Sequence, residues 1–455
     1  MTAFKSIIVC LALAISALTQ NQPTVTIIDT FPPSMNGNIL SQLMQGGGGI
    51  FYGVTQDGGN NGMGTIFRMP PQGGLKILFS FDGVRGAQPS GPLVQGRDGY
   101  FYGMTYQGGA NGTGTIFKMS LAGAVQTLHS FCPQESCADG VFPNPALIRG
   151  LDGSYYGTTA YLDRSVAYRI GPNGTYVVLH RFNHPQRGLG VPSGSLVQAS
   201  DGNLYGVSSR IGGDYRRGTI FMVTPQGQAR LVYSFGELTT DGWRPAGSLI
   251  QAADGDLYGA TIRGGANDSG VVFKISLQGS YQKIYDFPAG SYALGPPIQA
   301  SDGSLWVNSH AERLYAITTS GSLLQDLDMY SLYGFYPMSV LMQGADGRLY
   351  GGGTTSKVPR GTNLIYALDA GLPPPAPSIA GFTPASGAVG TKVVVSGAYY
   401  VGATAVTFNG VSAGFVVNAA GVISAIVPEG ASSGPIQVTN LGGTVASQND
   451  FTVTP

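Results

Sequence analysis

Apolar residues fall in short runs along this chain, each broken by Gly, Asp, Asn or Pro. One run and its break read SLVQASDGNLYG, from Ser195 to Gly206. Close copies are PLVQGRDGYFYG from Pro92, SLIQAADGDLYG from Ser248 and VLMQGADGRLY from Val340. Aligned on the aromatic-Gly pair, the Gly falls at Gly53, Gly103, Gly157, Gly206, Gly259 and Gly351. A degenerate copy, SDGSLWVN, carries Trp306-Val307 in the remaining gap. The spacing is about 50 residues, a period typical of propeller blades.

One further phrase follows each copy, and a second follows all but the last. The first reads GTIFRMPPQG from Gly64, GTIFKMSLAG from Gly114, GTIFMVTPQG from Gly218 and GVVFKISLQG from Gly270. The second ends on an aromatic: LKILFSF, VQTLHSF, YVVLHRF, ARLVYSF and YQKIYDF. Each unit is thus expected to form four short strands, A (SLVQA), B (NLYGV), C (TIFKM) and D (TLHSF), rich in β-branched and aromatic residues between turn formers. The last unit has no D strand before Gly371, whereas Thr24 to Phe31, TVTIIDTF, matches the D phrase ahead of the first A strand. The expected fold is all-β: a seven-bladed β-propeller over 24–371, closed by that N-terminal strand. An open solenoid would have no use for the displaced strand.

LPPPAP (372–377) reads as a semi-rigid spacer. Beyond it, 378–455 alternates polar and apolar residues in short runs (KVVVSG, AVTFNG, GPIQVTN, DFTVTP), expected to form a small β-sandwich. The segment resembles the IPT/TIG family of immunoglobulin-like domains in PSIAGFTPASGAVGTKVVVSG, ATAVTFNGV and ISAIVPEGASSGPIQVTN. That resemblance implies a spacer or adhesion module. The repeats resemble the Gloeo/Verruco tandem repeats of secreted or surface bacterial proteins with a choice of anchor, through DGNLYG, QGGANGTGTIFKMS and LHSF. This implies location and architecture and brings no catalytic residues. Kelch repeats fit less well, because only two Trp are present.

Composition agrees with strands and turns. Gly numbers 71 in 455 residues, too many for long helices, and charged residues are only 11%. Net charge is zero and there is no Lys/Arg run, which disfavours nucleic-acid binding. Lys5 followed by SIIVCLALAISAL reads as a signal peptide over 1–19, with an uncleaved anchor as the alternative. After cleavage no transmembrane segment is expected, and the location is extracytoplasmic: secreted, periplasmic or cell surface. Cys132 and Cys137, close together in an exported chain, are expected to form a disulfide.

The Asp-Gly pairs between A and B (Asp98-Gly99, Asp152-Gly153, Asp201-Gly202, Asp254-Gly255, Asp302-Gly303, Asp346-Gly347) suit type I′ hairpins. The first unit has Gly48-Gly49 there, so the carboxylate reads as part of a turn rather than a catalytic or metal group. His129 and His180 share one D-strand position and read as repeat variation. His310 and Glu312 form an isolated pair. No catalytic residue, metal site or cofactor is assigned. The longer B–C and D–A connections share the opposite face, where function on a rigid scaffold concentrates. Candidate ligand residues there are Trp243, Arg244, Asp241, Asp214, Tyr215, Arg216, Arg217, His184 and Arg187. The expected function is a binding or scaffold protein for a polysaccharide or another surface protein. The alternative is a secreted propeller enzyme acting on polysaccharide, a lyase or glycoside hydrolase.

Overall fold

A computed structural model describes residues 22–32, 41–182, 188–209, 213, 216–238, 240–310, 312–355, 361–419 and 421–455. The segment read as a signal peptide, 1–19, lies outside them. Among the described residues, 24–369 form seven antiparallel sheets of four or five strands. The fourth is typical: Val197–Gln198, Leu204–Ser208, Thr219–Val223 and Ala229–Ser234 pair in sequence order, as strands A to D. The seventh departs from that order. Its C strand, Asn363–Asp369, pairs with the N-terminal strand Thr24–Thr30, from Thr24 opposite Asp369 to Thr30 opposite Leu364. The first strand therefore supplies the missing D position.

Consecutive sheets share hydrophobic cores. Tyr205, Val207 and Ile220 of the fourth sheet pack with Leu257, Val271 and Phe273 of the fifth. An equivalent cluster joins the seventh sheet to the first, through Tyr350, Ile365 and Ala367 against Phe51, Phe67 and Met69. Phe31, at the end of the N-terminal strand, meets Phe67 edge-on at 5.2 Å. Buried on both faces, the B and C strands are apolar almost throughout.

Repeated Gln residues on the A strands add polar staples. Gln251 Oε1 accepts from Ser200 N of the preceding sheet at 2.8 Å, and its Nε2 donates to the Gly255 carbonyl in its own turn at 2.8 Å. Gln198, Gln299 and Gln343 repeat both bonds. Gln45 makes the same bond across the closure, from Ala345 N at 2.9 Å.

The Asp-Gly turns correct one expectation. A type I′ turn needs positive φ at both central residues. Here Gly202 has φ +81°, while Asp201 is not left-handed, and Gly202 N donates to the Ala199 carbonyl at 2.8 Å. The connection is a tight turn over 199–202 closed by a left-handed Gly. An added Cβ on Gly202 would meet nothing within 4 Å, so backbone angle alone calls for Gly there. Gly206 is required for the other reason. A Cβ there would lie 2.6 Å from the Phe221 ring and 2.9 Å from Leu196. In the sixth sheet Val307 replaces this Gly, and Pro297 stands where the other units have Leu, which relieves one of those two contacts.

The chain after the Pro-rich segment forms two further sheets around one core. Val393, Val395 and Ile423 from one face Val406, Phe408, Ile436 and Phe451 from the other. The linker is bound to the repeats: the Pro373 carbonyl accepts from Gln343 Nε2 at 3.2 Å and from Ser301 Oγ.

Deleting residues 24–31 removes Phe31 from its core and exposes the edge of Asn363–Asp369. Calorimetry should show melting lowered by several degrees, since each kcal/mol shifts the midpoint by about 2–4 °C in domains of 150–250 residues. An unchanged melting curve would contradict the closure.

Candidate binding channel

The turn carboxylates are occupied by their own repeats. Tyr205 Oη donates to Asp201 Oδ2 at 2.8 Å, and the same Tyr-to-Asp bond recurs from Tyr102, Tyr156, Tyr258 and Tyr350 at 2.6–2.9 Å. The fixed interval of four residues brings the phenol back over its own turn. Where Trp306 replaces Tyr, its indole N–H donates to Ser304 Oγ, which donates to Asp302. Burial, followed by the bond to Asp201, pushes the Tyr205 hydroxyl up to about 12. Burial alone would raise the Asp201 carboxyl. The bonds from Asn203 and Tyr205 outweigh it and hold Asp201 below the ordinary carboxylate range. These carboxylates complete the hairpin and seat a buried phenol between sheets.

Among the described residues, no group of three His, Cys, Asp or Glu is arranged to hold a metal. His129 Nε2 lies 2.8 Å from Asp139 Oδ2, and its ring stacks on Tyr176 at 4.1 Å. Asp139 also accepts from Cys132 N, and Cys132 is disulfide-bonded to Cys137. The group as a whole pins one D–A loop. The His310 ring stacks on Tyr292 at 4.6 Å.

Asp241 plays the part of Asp139 two sheets on. Its Oδ2 accepts from Tyr233 Oη at 2.9 Å and from Gly236 N at 2.8 Å, and Tyr233 stacks on Tyr281. Asp241 is therefore buried as a loop anchor. Trp243 and Arg244 lie in an added strand, Gly242–Pro245, paired with Leu257–Gly264. Arg244 N donates to the Arg217 carbonyl at 2.8 Å, and the Arg217 guanidinium covers the Trp243 ring at 5.7 Å. Arg216 is exposed beside it. The structure thus brings together Arg217, Trp243 and Arg244 from adjacent units. His184, Arg187, Asp214 and Tyr215 lie outside the described residues.

A large cavity lies elsewhere, along the A strands. It encloses about 970 Å³, near the upper end of the range for ligand pockets, about 300–1,000 Å³. Every unit contributes the residue that opens its A strand: Gln42, Pro92, Ala146, Ser195, Ser248, Pro296 and Val340. The cavity is therefore the axial channel of the ring. Its wall is mainly apolar, with Ile148, Val197, Ile250 and Ile298 one level further in. Trp243, Arg244, Asp241, Arg216 and Arg217 do not line it. A second space of about 450 Å³ lies between Gln45, Val94 and Met342 of the A strands and Tyr399 and Gly421 of the sandwich. The sandwich thus lies against the turn end of the channel.

Among the described residues, one charged side chain lines the channel, Arg149. It occupies the A-strand position held by Gln in the other six units. A residue-by-residue alignment of the seven A strands shows this departure; a search for motif residues passes over it.

The repeat family model for the Gloeobacter/Verrucomicrobia repeat matches residues 14–188 and 147–366. No curated protein sequence matches the chain. Among solved structures, a catalytically inactive variant of virginiamycin B lyase from Staphylococcus aureus, solved with quinupristin, is similar at TM-score 0.54 and 14% identity, over 76% of this chain and 99% of that one. A streptogramin B lyase gives TM-score 0.53 and 17% identity, over 76% and 97%. The extracellular domain of a hybrid two-component system from B. thetaiotaomicron gives TM-score 0.54 and 12% identity, over 96% of this chain and 60% of that one. At these identities the likeness is one of fold, all-β and propeller-like.

Replacing Asp201 with Ala leaves the buried Tyr205 hydroxyl without its acceptor. Urea unfolding should show a loss of about 1–3 kcal/mol, with the fold intact by circular dichroism. Because the folded carboxyl titrates below its unfolded value, its contribution is full above about pH 4. It fades as pH falls toward the folded value. In D201N this part of the acid dependence should disappear; an unaltered profile would contradict the assignment.

Proposed function

The chain belongs to the Gloeobacter/Verrucomicrobia repeat family, and from that premise we propose that it is an extracytoplasmic binding protein built on a seven-bladed propeller. The signal-like N-terminus and the Cys132–Cys137 disulfide support the location. Among the described residues, no helix is long and apolar enough to cross a membrane. The C-terminal sandwich is read as an IPT/TIG-type module that acts as spacer and as a stop at the turn end of the ring. Anchoring would follow whichever of the family's routes this chain uses.

The observation that carries the reading is the channel of about 970 Å³ walled by the seven inner strands. A preformed concave site on a fixed scaffold binds without first having to order its walls. A polysaccharide or another surface protein would meet the loop face around it, where Arg217 over Trp243 offers a planar aromatic and a cation together.

A polysaccharide and protein-binding screen on residues 20–455, with product release followed in parallel, tests this. Binding without turnover is expected. New reducing or unsaturated ends would overturn it in favour of a secreted polysaccharide-degrading enzyme. For a partner held at the loop face, Trp243→Ala should weaken binding about ten-fold or more, the scale of an aromatic anchor. Retained affinity in a variant with an unchanged melting curve would rule out that face.

A further inference from the structure

Arg149 is an anomaly on three counts. It breaks a seven-fold pattern, since Gln45, Gln95, Gln198, Gln251, Gln299 and Gln343 hold its position in the other units. Among the described residues it is the only charged side chain lining the channel, and none of those residues in the lining is acidic. It makes no ion pair with any described residue, and its one hydrogen bond is from Nη1 to the Gln95 carbonyl at 3.1 Å. A partly buried guanidinium stays charged, and a charge removed from water is costly unless matched.

Gln95, beside it, is the second anomaly. The staple that Gln251 and its counterparts make is absent here. Gln95 is 9% exposed, and neither its Oε1 nor its Nε2 has a hydrogen-bond partner among the described residues. Buried amides are rarely left in this state. Gln95 and Arg149 both line the smaller space at the turn end, and Arg149 also lines the main channel. The carboxylate on the adjoining turn, Asp98, is taken by the Tyr102 hydroxyl at 2.6 Å. Arg149, a cation at the inner end of a mainly apolar channel, thus stands beside the buried Gln95 amide, which lines the smaller space and whose polar atoms are free.

We infer that the channel binds a monocarboxylate amphiphile, with its apolar body along the A strands and its carboxylate on Arg149. This rests on the channel being the binding site and names its ligand class. A planar guanidinium donates two parallel bonds to a carboxylate. The wall of Ile148, Val197, Ile250 and Ile298 has no polar demand on the rest of the molecule.

The test uses 11-(dansylamino)undecanoate and its methyl ester, with dansyl emission as the readout. The wild-type protein should bind the acid about ten-fold or more tightly than the ester, the scale of a charge-assisted pair. Arg149→Gln places in this unit the residue that the other six already carry, so the fold should be retained. In that variant the acid should fall to the affinity of the ester, and the ester should be unchanged. Equal binding of acid and ester by the wild type, or a preference that survives in R149Q, would overturn the carboxylate inference while leaving the channel as a binding site. Failure of both probes to bind would remove both.

Discussion

The pairing of Thr24–Thr30 with Asn363–Asp369 is the constraint on which the rest depends. It joins the two ends of the repeat array through backbone bonds, so the seventh and first sheets can share a core like any other neighbours. Without it, Phe31 and the strand edge of the last sheet would face water, and the A strands would not enclose a channel. Closure also explains why Gln45 can hold Ala345, 300 residues away, with the bond that Gln251 makes to Ser200. The site is a product of the ring rather than of any one unit.

Inside each unit, a few residue types carry most of the specification, each for its own reason. The Gly after Asp supplies a left-handed backbone angle in open space, while the Gly after Tyr leaves room for an aromatic ring of the neighbouring strand. The Asp accepts from the Tyr four residues on, so one short phrase sets the turn and fixes a buried ring between sheets. The sixth unit shows that these roles can be exchanged together. Trp306 reaches its Asp through Ser304, and Val307 coincides with Pro297 in place of Leu. Such paired departures keep the packing and carry no chemistry. Arg149 makes no ion pair with any described residue, which sets it apart.

Much of this is legible from sequence, because a repeat supplies its own comparisons. TVTIIDTF copies the D phrase and so places the closing strand, and Gly48 in place of Asp marks the turn as structural. The turn type itself is less legible, since Asp-Gly fits two geometries and only the register of Ala199 to Gly202 separates them. The site is the least legible part. Trp243, Arg244 and Arg217 do meet, as their loop positions suggest, yet Asp241 is spent on anchoring its loop to Tyr233 and Gly236. Residues rich in chemistry attract attention on variable loops, whereas the channel is walled by Pro, Ser, Val and Ile that carry no motif. Its one informative residue is visible only as a Gln that has become Arg.

The most direct measurement is a crystal structure of residues 20–455 with 11-(dansylamino)undecanoate. The account predicts the alkyl chain along the A strands and the carboxylate within hydrogen-bond distance of the Arg149 guanidinium. A probe seated on the outer loops near Trp243, or in the channel with its carboxylate turned away from Arg149, would contradict it.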